Sequence, residues 1–351
     1  MKRNNSIISN NKSIKDALAK FNQLAPEALA QTTLLVEGDK NAIIGVLTEG
    51  DIRRAMLAGI SLNEKVEVAM NKQFHYFDEN SYCEDKLEIF KKKKIRFIPF
   101  LNKDKSLRDV IDLNNLHAVL PIEAVIMAGG KGERLRPLTL DTPKPMLKVG
   151  DKPILEHTIR RLQKFGVSTF HLSVNYQKEK IQHHFEEGKN FGCQINYLIE
   201  NTPLGTIGSV ALAKNIRSEF VLVMNGDLLT NIDFKAFYQH AVKSKASICI
   251  ATIDHYVDIP YAVLEQKGTK VKGLMEKPKM SYPVNAGIYM IRKDLLKWIP
   301  RQKVFHATDL IQAALDKNQK VEAYPINGYW TDIGRLEDYQ KVQIDIQHLS
   351  W

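Results

Sequence analysis

The chain has 351 residues, more than one ordinary compact domain holds, so we expect two domains. Its composition of 44% hydrophobic and 26% charged residues is that of a globular protein with real cores, and it excludes a disordered chain. No apolar run reaches the roughly 20 residues that a membrane-spanning helix needs.

The net charge of +10 and the cysteines bear on partners and compartment. The basic excess suits a solvated surface, including the lysine run 91–94, or attraction for phosphorylated substrates. Aromatic residues are not interleaved with that run, so nucleic-acid binding gains little support. Cys83, Cys193 and Cys249 are scattered without metal-ligand spacing, and the polar start has no hydrophobic signal core. We therefore expect a cytoplasmic protein with no membrane partner.

The first 120 residues contain an imperfect internal repeat. Residues 45–54 align with residues 109–118, and upstream the candidate amphipathic helices 16–21 and 85–90 also correspond. Each copy is therefore predicted to form a helix, two strands and a second helix. Neither copy is large enough to bury a core alone, so the two should pack as one α+β module over residues 1–120.

This pattern resembles a tandem pair of cystathionine-β-synthase-type (CBS) domains over about residues 6–120. The first copy carries the Gly-x-x-Thr-x-x-Asp pattern of that family as Gly45, Thr48 and Asp51. The resemblance implies that the hydroxyl of Thr48 and the carboxylate of Asp51 hold the ribose of a regulatory nucleotide.

The second copy departs from the CBS pattern. Asp112 and Asn115 stand at the positions of the Thr and the Asp. An acidic side chain beside a phosphate repels it, so a second nucleotide site is not expected. The alternative for the whole pair is a purely structural or oligomer-forming role, and we expect a homo-oligomer.

From residue 121 to residue 351, strand-like runs alternate with helix-like runs, and Pro121 marks the predicted boundary. The predicted strands include 123–127, 168–174 and 220–224, and the predicted helices include 153–164 and 178–185. This alternation predicts an α/β, Rossmann-like domain with a mainly parallel sheet and helices on both faces. Ligands bind such sheets beyond the carboxyl ends of the strands.

The strand 123–127 leads directly into a glycine-rich loop. Its candidate nucleotide-binding residues are Ala128, Gly129, Gly130 and Gly132. Such a loop leaves its N–H groups unshielded, so it can wrap a polyanion closely. Arg134, Arg136 and Lys144 bring three fixed cations to the same place. The loop therefore predicts a nucleoside triphosphate site.

The spacing Gly-Gly-x-Gly-x-Arg-Leu-x-Pro-Leu-Thr, then Pro-Lys-Pro, resembles the signature of the sugar-1-phosphate nucleotidyltransferases, and further blocks of that family follow in order. The resemblance implies that Arg134, Lys144 and Lys277 are the catalytic residues. Asp227 and Asp332 would hold Mg²⁺, the expected cofactor, because this hard ion prefers oxygen ligands.

Two later blocks resemble the sugar-binding part of that family. The predicted sugar-binding residues are Tyr261, Ala262, Glu276, Asn285 and Gly287. Glu276 is expected to accept hydrogen bonds from sugar hydroxyls, and Lys277 to neutralise the sugar phosphate. Asn285 is available to a hydroxyl, and Gly287 allows close approach.

Residues 200–208 resemble the base-recognition block of the family, where Glu200, Gly205 and Thr206 are the expected contacts. Many thymidylyl and uridylyl relatives carry glutamine at the first position. A carboxylate only accepts hydrogen bonds, and guanine presents its N1–H and its N2 amino group as two adjacent donors. Glu200 therefore favours GTP.

These features together predict nucleotidyl transfer from GTP to a sugar 1-phosphate, which gives a GDP-sugar and pyrophosphate. The fusion to a CBS pair resembles the glucosamine-1-phosphate guanylyltransferases of bacterial legionaminic acid biosynthesis, which implies glucosamine 1-phosphate as the acceptor. Mannose 1-phosphate and a heptose 1-phosphate stay open as acceptors. A nucleotide-sensing regulatory subunit without catalysis is the alternative from another class.

Overall fold

The computed structural model describes residues 6–24, 33–78 and 81–349. The chain forms two compact units that divide between Val119 and Leu120. Within the described ranges, no helix is both long enough and apolar enough to cross a bilayer.

The first unit combines helices with two small hairpins. Its strands are β1 (Ile7–Ser9), β2 (Thr33–Glu37), β3 (Ile43–Thr48), β4 (Phe97–Leu101) and β5 (Leu107–Asp112), and its helices are α1 (Ile14–Leu24), α2 (Glu49–Leu57) and α3 (Glu84–Lys92). β1 pairs in parallel with β2, which pairs antiparallel with β3. β4 and β5 form a second antiparallel hairpin.

The internal repeat is visible in the way these hairpins are built. In each copy a short extended segment lies parallel to the first hairpin strand, as Ile7 pairs with Leu35 and Phe77 bridges Phe100. Leu35 and Leu101, one from each hairpin, are buried in the same apolar cluster. The two copies thus pack against each other.

The prediction of a second helix in the second copy of the repeat is wrong. Residues 113–120, which follow β5, form a turn and an irregular segment. In the first copy, Thr48 starts α2 because its hydroxyl accepts a hydrogen bond from the Asp51 N–H at 3.1 Å. Asp112 instead accepts a hydrogen bond from the Asn114 N–H at 3.0 Å, which closes a local turn in place of a helix start.

We expect Thr48→Ala to lower the free energy of unfolding by about 1 kcal/mol, because the N-cap of α2 is lost. Urea unfolding followed by circular dichroism measures this change. Thr48→Ser keeps the hydroxyl and is the matched control. Equal stability of the alanine variant and the wild type would contradict the capping role.

The second unit is an α/β domain. Its helices are α4 (Ile154–Gln163), α5 (Lys178–Phe185), α6 (Phe234–Ser244), α7 (Ala307–Asp316) and α8 (Leu336–Asp345). Its strands are β6 (Ile122–Met127), β7 (Lys148–Val149), β8 (Lys152–Pro153), β9 (Thr169–Val174), β10 (Gln194–Ile199), β11 (Phe220–Asn225), β12 (Leu228–Thr230), β13 (Ile248–Asp258), β14 (Val263–Lys267), β15 (Lys270–Met275), β16 (Lys279–Arg292), β17 (Val321–Pro325) and β18 (Trp330–Asp332).

Seven of these strands form one sheet in the order β10-β9-β6-β11-β16-β13-β17. Four of its six neighbouring pairs are parallel, and only β16 runs antiparallel to both of its neighbours. The predicted mainly parallel sheet is therefore confirmed. The predicted helices 153–164 and 178–185 appear as α4 and α5.

The register of the central strands places the functional loops at one edge. β6 and β11 are nearly continuous buried apolar runs, as expected for strands covered on both faces. Met127 pairs with Asn225, so the two parallel strands end side by side. β18 pairs antiparallel with β12, and this puts Asp332 opposite Leu228.

The outer halves of β13 and β16, with the hairpin of β14 and β15, form an exposed β-arm of residues 254–283. His255 pairs with Tyr282 in the extended ladder, and Val263 pairs with Met275 in the hairpin. Nearly all side chains of the β-arm are exposed, including large apolar ones such as Leu274. The arm therefore contributes little to the buried core of this unit.

Candidate active site

The candidate site lies where β6 and β11 end. The Gly226 N–H donates to the Met127 carbonyl at 2.8 Å, which joins the two strand ends. A Cβ at Gly226 would lie 2.7 Å from that carbonyl oxygen, so only glycine permits this approach. Asp227, the next residue, is thereby held beside the glycine loop.

The glycine loop packs on one side and is open on the other. Gly132 has a φ of 63°, and a Cβ there would lie 2.9 Å from the Lys144 Cβ. The Thr139 hydroxyl donates to the Gly132 carbonyl at 2.8 Å. A Cβ at Gly130 would meet nothing within 4 Å. The loop is thus fixed against the lysine segment, while Gly130 faces open space.

Lys144 joins the two predicted metal ligands. Its Nζ donates to Asp227 Oδ2 and lies 3.5 Å from Asp332 Oδ1. The lysine side chain is only 13% exposed, although Asp332 is 48% exposed. Lys144 begins a short 3₁₀ turn after the fixed backbone of Pro143. The structure therefore brings these three predicted residues together.

The electrostatics of this cluster suit a cation. Burial raises the pKa of Asp332, the negative charge of Asp227 raises it further, and the Lys144 ammonium partly opposes both. Asp227 Oδ1 is buried and has no hydrogen-bond partner among the described residues. Within the same ranges, no group of three or more His, Cys, Asp or Glu residues is arranged for a metal. The two carboxylates therefore fit Mg²⁺ if substrates and water supply its other oxygen ligands.

Arg134 lies in the 3₁₀ turn Glu133–Leu135 that follows the glycine loop. Leu135 is buried and anchors the turn, whereas Arg134 is exposed. Its guanidinium is therefore accessible to an anion on the loop.

The base-recognition block begins at a buried carboxylate. Glu200 is 7% exposed, and its Oε1 accepts a hydrogen bond from the Ser173 hydroxyl. Its Oε2 accepts one from the Leu204 N–H at 2.8 Å. A Cβ at Gly129 would lie 3.2 Å from Glu200 Oε1, so this carboxylate borders the glycine loop.

Gly205 and Thr206 hold the same block against the start of α7. Gly205 has a φ of 83°, and a Cβ there would lie 2.6 Å from the Phe305 carbonyl oxygen. The Thr206 hydroxyl accepts a hydrogen bond from the Ala307 N–H at 2.9 Å. Both residues thus have a packing role of their own, whatever they contact in a nucleotide.

The predicted sugar residues fall in two places. Asn285 accepts a hydrogen bond from the Gly287 N–H at 2.9 Å and donates to the Tyr289 hydroxyl at 2.9 Å. Gly287 has a φ of 71°, and a Cβ there would lie 2.6 Å from Asn225 Nδ2. Asn285 and Gly287 therefore lie next to the end of β11, close in the fold to Asp227.

The other sugar residues lie in the connections of the β-arm. Tyr261, which is 76% exposed, and Ala262 precede β14. Glu276 and Lys277 are exposed between β15 and β16, and Lys277 has a φ of 42°. The Ile259 N–H donates to the Pro278 carbonyl at 3.1 Å and joins the two connections. The structure therefore groups these residues together in the two joined connections of the β-arm.

Helix α8 braces the segment that follows Lys144. Gln343 Nε2 donates to the Lys148 carbonyl at 2.6 Å, and Gln343 Oε1 accepts from the Gly150 N–H at 3.1 Å. The Tyr339 hydroxyl donates to the same Lys148 carbonyl at 2.7 Å. Sequence reasoning missed this support, because residues almost 200 positions apart share no local pattern.

Thr48 and Asp51 of the first unit are engaged with each other. The Thr48 hydroxyl donates to Asp51 Oδ2 at 2.6 Å, and Arg54 pairs with the other carboxylate oxygen. The contacts between Thr48 and Asp51 form the N-cap of α2.

The second unit matches known proteins. The profile described as "Nucleotidyl transferase" matches residues 123–348. The bifunctional protein GlmU of Methanocaldococcus jannaschii is 34% identical over 224 residues, which are 62% of this chain and 52% of that protein. The mannose-1-phosphate guanylyltransferase of Mycobacterium tuberculosis is 31% identical over 233 residues, 64% of each chain. The match thus spans half to two thirds of these relatives.

Among solved structures, HddC from Yersinia pseudotuberculosis complexed with GMP-PN is similar, with a TM-score of 0.51 and 28% identity. The similarity covers 64% of this chain and 99% of HddC. It therefore extends over essentially the whole of a protein that was crystallised with a guanine nucleotide.

Proposed function

The chain belongs to the nucleotidyl transferase family, and from that premise we propose that it transfers a guanylyl group from GTP to a sugar 1-phosphate. The observation that carries the proposal is the contact of Lys144 with Asp227 and Asp332 beside the open glycine loop. Cations and metal-binding carboxylates meet there at the carboxyl edge of a parallel sheet, where such folds bind ligands.

The proposed reaction needs no covalent enzyme intermediate. An oxygen of the sugar phosphate attacks the α-phosphorus of GTP in line, the bond to the bridging oxygen breaks, and pyrophosphate leaves with the electron pair. Catalysis then consists of positioning and charge neutralisation. Lys144 and Arg134 neutralise the triphosphate, and Lys277 orients the attacking phosphate.

Asp227 and Asp332 would hold Mg²⁺, which supplies charge neutralisation at the phosphates. Ala128, Gly129, Gly130 and Gly132 form the phosphate loop, in which Gly130 is open to a ligand. The amides of the loop glycines complement the negative charge that these cations neutralise.

GTP is the proposed nucleotide on two grounds. Guanylyltransferases are among the relatives, and HddC was crystallised with GMP-PN. Glu200 also lies at the glycine loop as an acceptor, which complements the two adjacent donors of guanine.

The acceptor is proposed as glucosamine 1-phosphate, for legionaminic acid or a related surface glycan. This choice rests on the resemblance of the two-module arrangement to the glucosamine-1-phosphate guanylyltransferases of legionaminic acid biosynthesis. Mannose 1-phosphate is supported by a relative of that specificity, and a heptose 1-phosphate is the third candidate. Asn285 and Gly287, with the β-arm residues Tyr261, Ala262 and Glu276, would contact the sugar.

The first unit is proposed to be a CBS pair that senses a nucleotide or forms a cytoplasmic homo-oligomer. A nucleotide would contact Thr48 and Asp51, whose contacts with each other also support a purely structural role. Calorimetric titration of the whole protein with AMP, ATP and GDP tests the sensing role in a variant that lacks Lys144. Absence of binding would leave the structural role.

Pyrophosphate release tests the proposed reaction directly. Four nucleoside triphosphates are screened with Mg²⁺ against glucosamine, mannose and heptose 1-phosphates. We expect GTP to exceed every other triphosphate by at least about tenfold in kcat/KM, because a lost pair of base hydrogen bonds costs more than about 1.4 kcal/mol. Equal use of UTP or dTTP would overturn the choice of GTP. No release with any pair would overturn the proposed enzyme and favour a regulatory subunit.

A further inference from the structure

A buried serine connects the base-recognition block to the glycine loop. Ser173, in β9, is 0% exposed, and its hydroxyl donates to Glu200 Oε1. Its carbonyl accepts a hydrogen bond from the Ala128 N–H at 2.8 Å. One residue therefore contacts both the start of the phosphate loop and the carboxylate expected at the base.

The position of Glu200 is fixed through its main chain and its side chain. The Glu200 N–H donates to the Val174 carbonyl at 3.0 Å, and Asn175 Nδ2 donates to the Glu200 carbonyl at 2.6 Å. Ser173 holds one carboxylate oxygen and the Leu204 N–H holds the other. Among the residues that the structure describes, the carboxylate thus has one protein donor on each oxygen, and its plane cannot turn without breaking one of these bonds.

The Glu200 carboxylate can still accept further hydrogen bonds in this arrangement. A carboxylate has about four lone-pair sites, so one protein donor on each oxygen leaves a further site on each. A Cβ at Gly129 would lie 3.2 Å from Oε1, so a side chain there would crowd this oxygen from the loop side. Two remaining sites on two fixed oxygens match the adjacent N1–H and N2–H donors of guanine.

We propose that Ser173 is a positioning residue for base selection, which orients Glu200 so that the enzyme discriminates guanine from other bases. The proposal rests on the proposed use of GTP. Without the Ser173 hydroxyl, Oε1 loses its protein donor and the carboxylate can turn about its remaining bond to Leu204. A mobile carboxylate can accept the single ring N–H of uracil or the amino group of adenine, so the preference for guanine falls.

The test compares Ser173→Ala with Ser209→Ala in the whole protein. Ser209 is also 0% exposed, but its hydroxyl contacts the Met127 sulfur at 3.7 Å and not Glu200. For each variant, kcat/KM is measured with GTP and with UTP, and the binding of GTP and UTP is measured by calorimetry. We expect Ser173→Ala to lower the GTP/UTP ratio about tenfold, the effect of one lost charge-assisted hydrogen bond, and Ser209→Ala to leave it unchanged.

A role of Ser173 in packing alone predicts a different result. The value of kcat/KM would then fall equally with GTP and with UTP, and the unchanged GTP/UTP ratio would overturn the proposal. If Ser173→Ala does not fold, Ser173→Cys replaces it, because a thiol is a weaker donor of similar shape and should give an intermediate ratio. A wild type that does not prefer GTP would instead refute the proposed nucleotide, so the two failures are distinguishable.

Discussion

Replacing Lys144 with methionine should lower turnover by about two to three orders of magnitude, the typical effect of removing one preorganised donor from a reacting phosphate. The same variant should bind Mn²⁺ more tightly than the wild type when no nucleotide is present. The first effect follows from the proposed contact with the triphosphate. The second follows from the observed contact of Lys144 with Asp227 and Asp332.

The second effect arises because the ammonium and a metal ion compete for the same carboxylates. In the wild type, a metal that arrives alone must displace Lys144 from Asp227 and Asp332, whereas a triphosphate gives the ammonium another partner. Metal and triphosphate should therefore strengthen each other's binding, and this coupling should shrink when the lysine is removed. We expect Lys144→Met to raise the Mn²⁺ affinity by about tenfold, roughly 1.4 kcal/mol. The expected gain is modest because Asp332, one of the two carboxylates that Lys144 contacts, is half exposed and screened by solvent.

Lys148→Met is the matched control for this experiment. Lys148 is an exposed lysine of the same segment, and its carbonyl, which α8 holds, is unchanged by the substitution. Turnover is measured by pyrophosphate release, and Mn²⁺ binding is measured by electron paramagnetic resonance. Near-normal turnover of Lys144→Met would contradict the catalytic role, and unchanged Mn²⁺ binding would contradict the competition.

The sheet and the carboxyl edge of the site could be predicted because their signals are local. An apolar strand that ends in glycines predicts a loop at a strand end, and a second strand that ends in Asn-Gly-Asp predicts a carboxylate at the same edge. The register of Met127 opposite Asn225 agrees with both. The family resemblance assigned Lys144 and Asp227 to the same site, but their direct contact could not be predicted, because no local pattern relates the two residues.

Other features depend on contacts between distant residues and could not be predicted. Ser173 and Glu200 are 27 positions apart, and a serine near the end of a buried strand gives no sign of its partner. The turn at Asp112 formed in place of a helix because a side chain bonded to a nearby N–H, and this competes closely with helix capping. The alternating pattern also did not predict that β13 and β16 would continue into an exposed arm.

Asp332→Asn should lower turnover by about two orders of magnitude or more and yet slightly stabilise the metal-free protein. Burial and the charge of Asp227 raise the pKa of Asp332, so the folded protein holds this proton more tightly than the unfolded chain does. Folding stability is then greatest below the unfolded pKa of this group and is lost as pH rises through the folded pKa. At neutral pH the full cost of the ionised carboxylate is present, and an uncharged amide of the same shape removes it.

The gain in stability should stay below about 1 kcal/mol, because Asp332 is 48% exposed and solvent screens its charge. Thermal unfolding in the presence of a chelator measures the gain, and pyrophosphate release with Mg²⁺ measures the loss of turnover. Asp141→Asn, which neutralises an exposed aspartate in the segment between the glycine loop and Lys144, controls for the change in net charge. We propose that Asp332 holds the metal and is kept for that role at the cost of stability. An Asp332→Asn variant that loses stability, or that keeps turnover within about threefold of the wild type, would contradict this role.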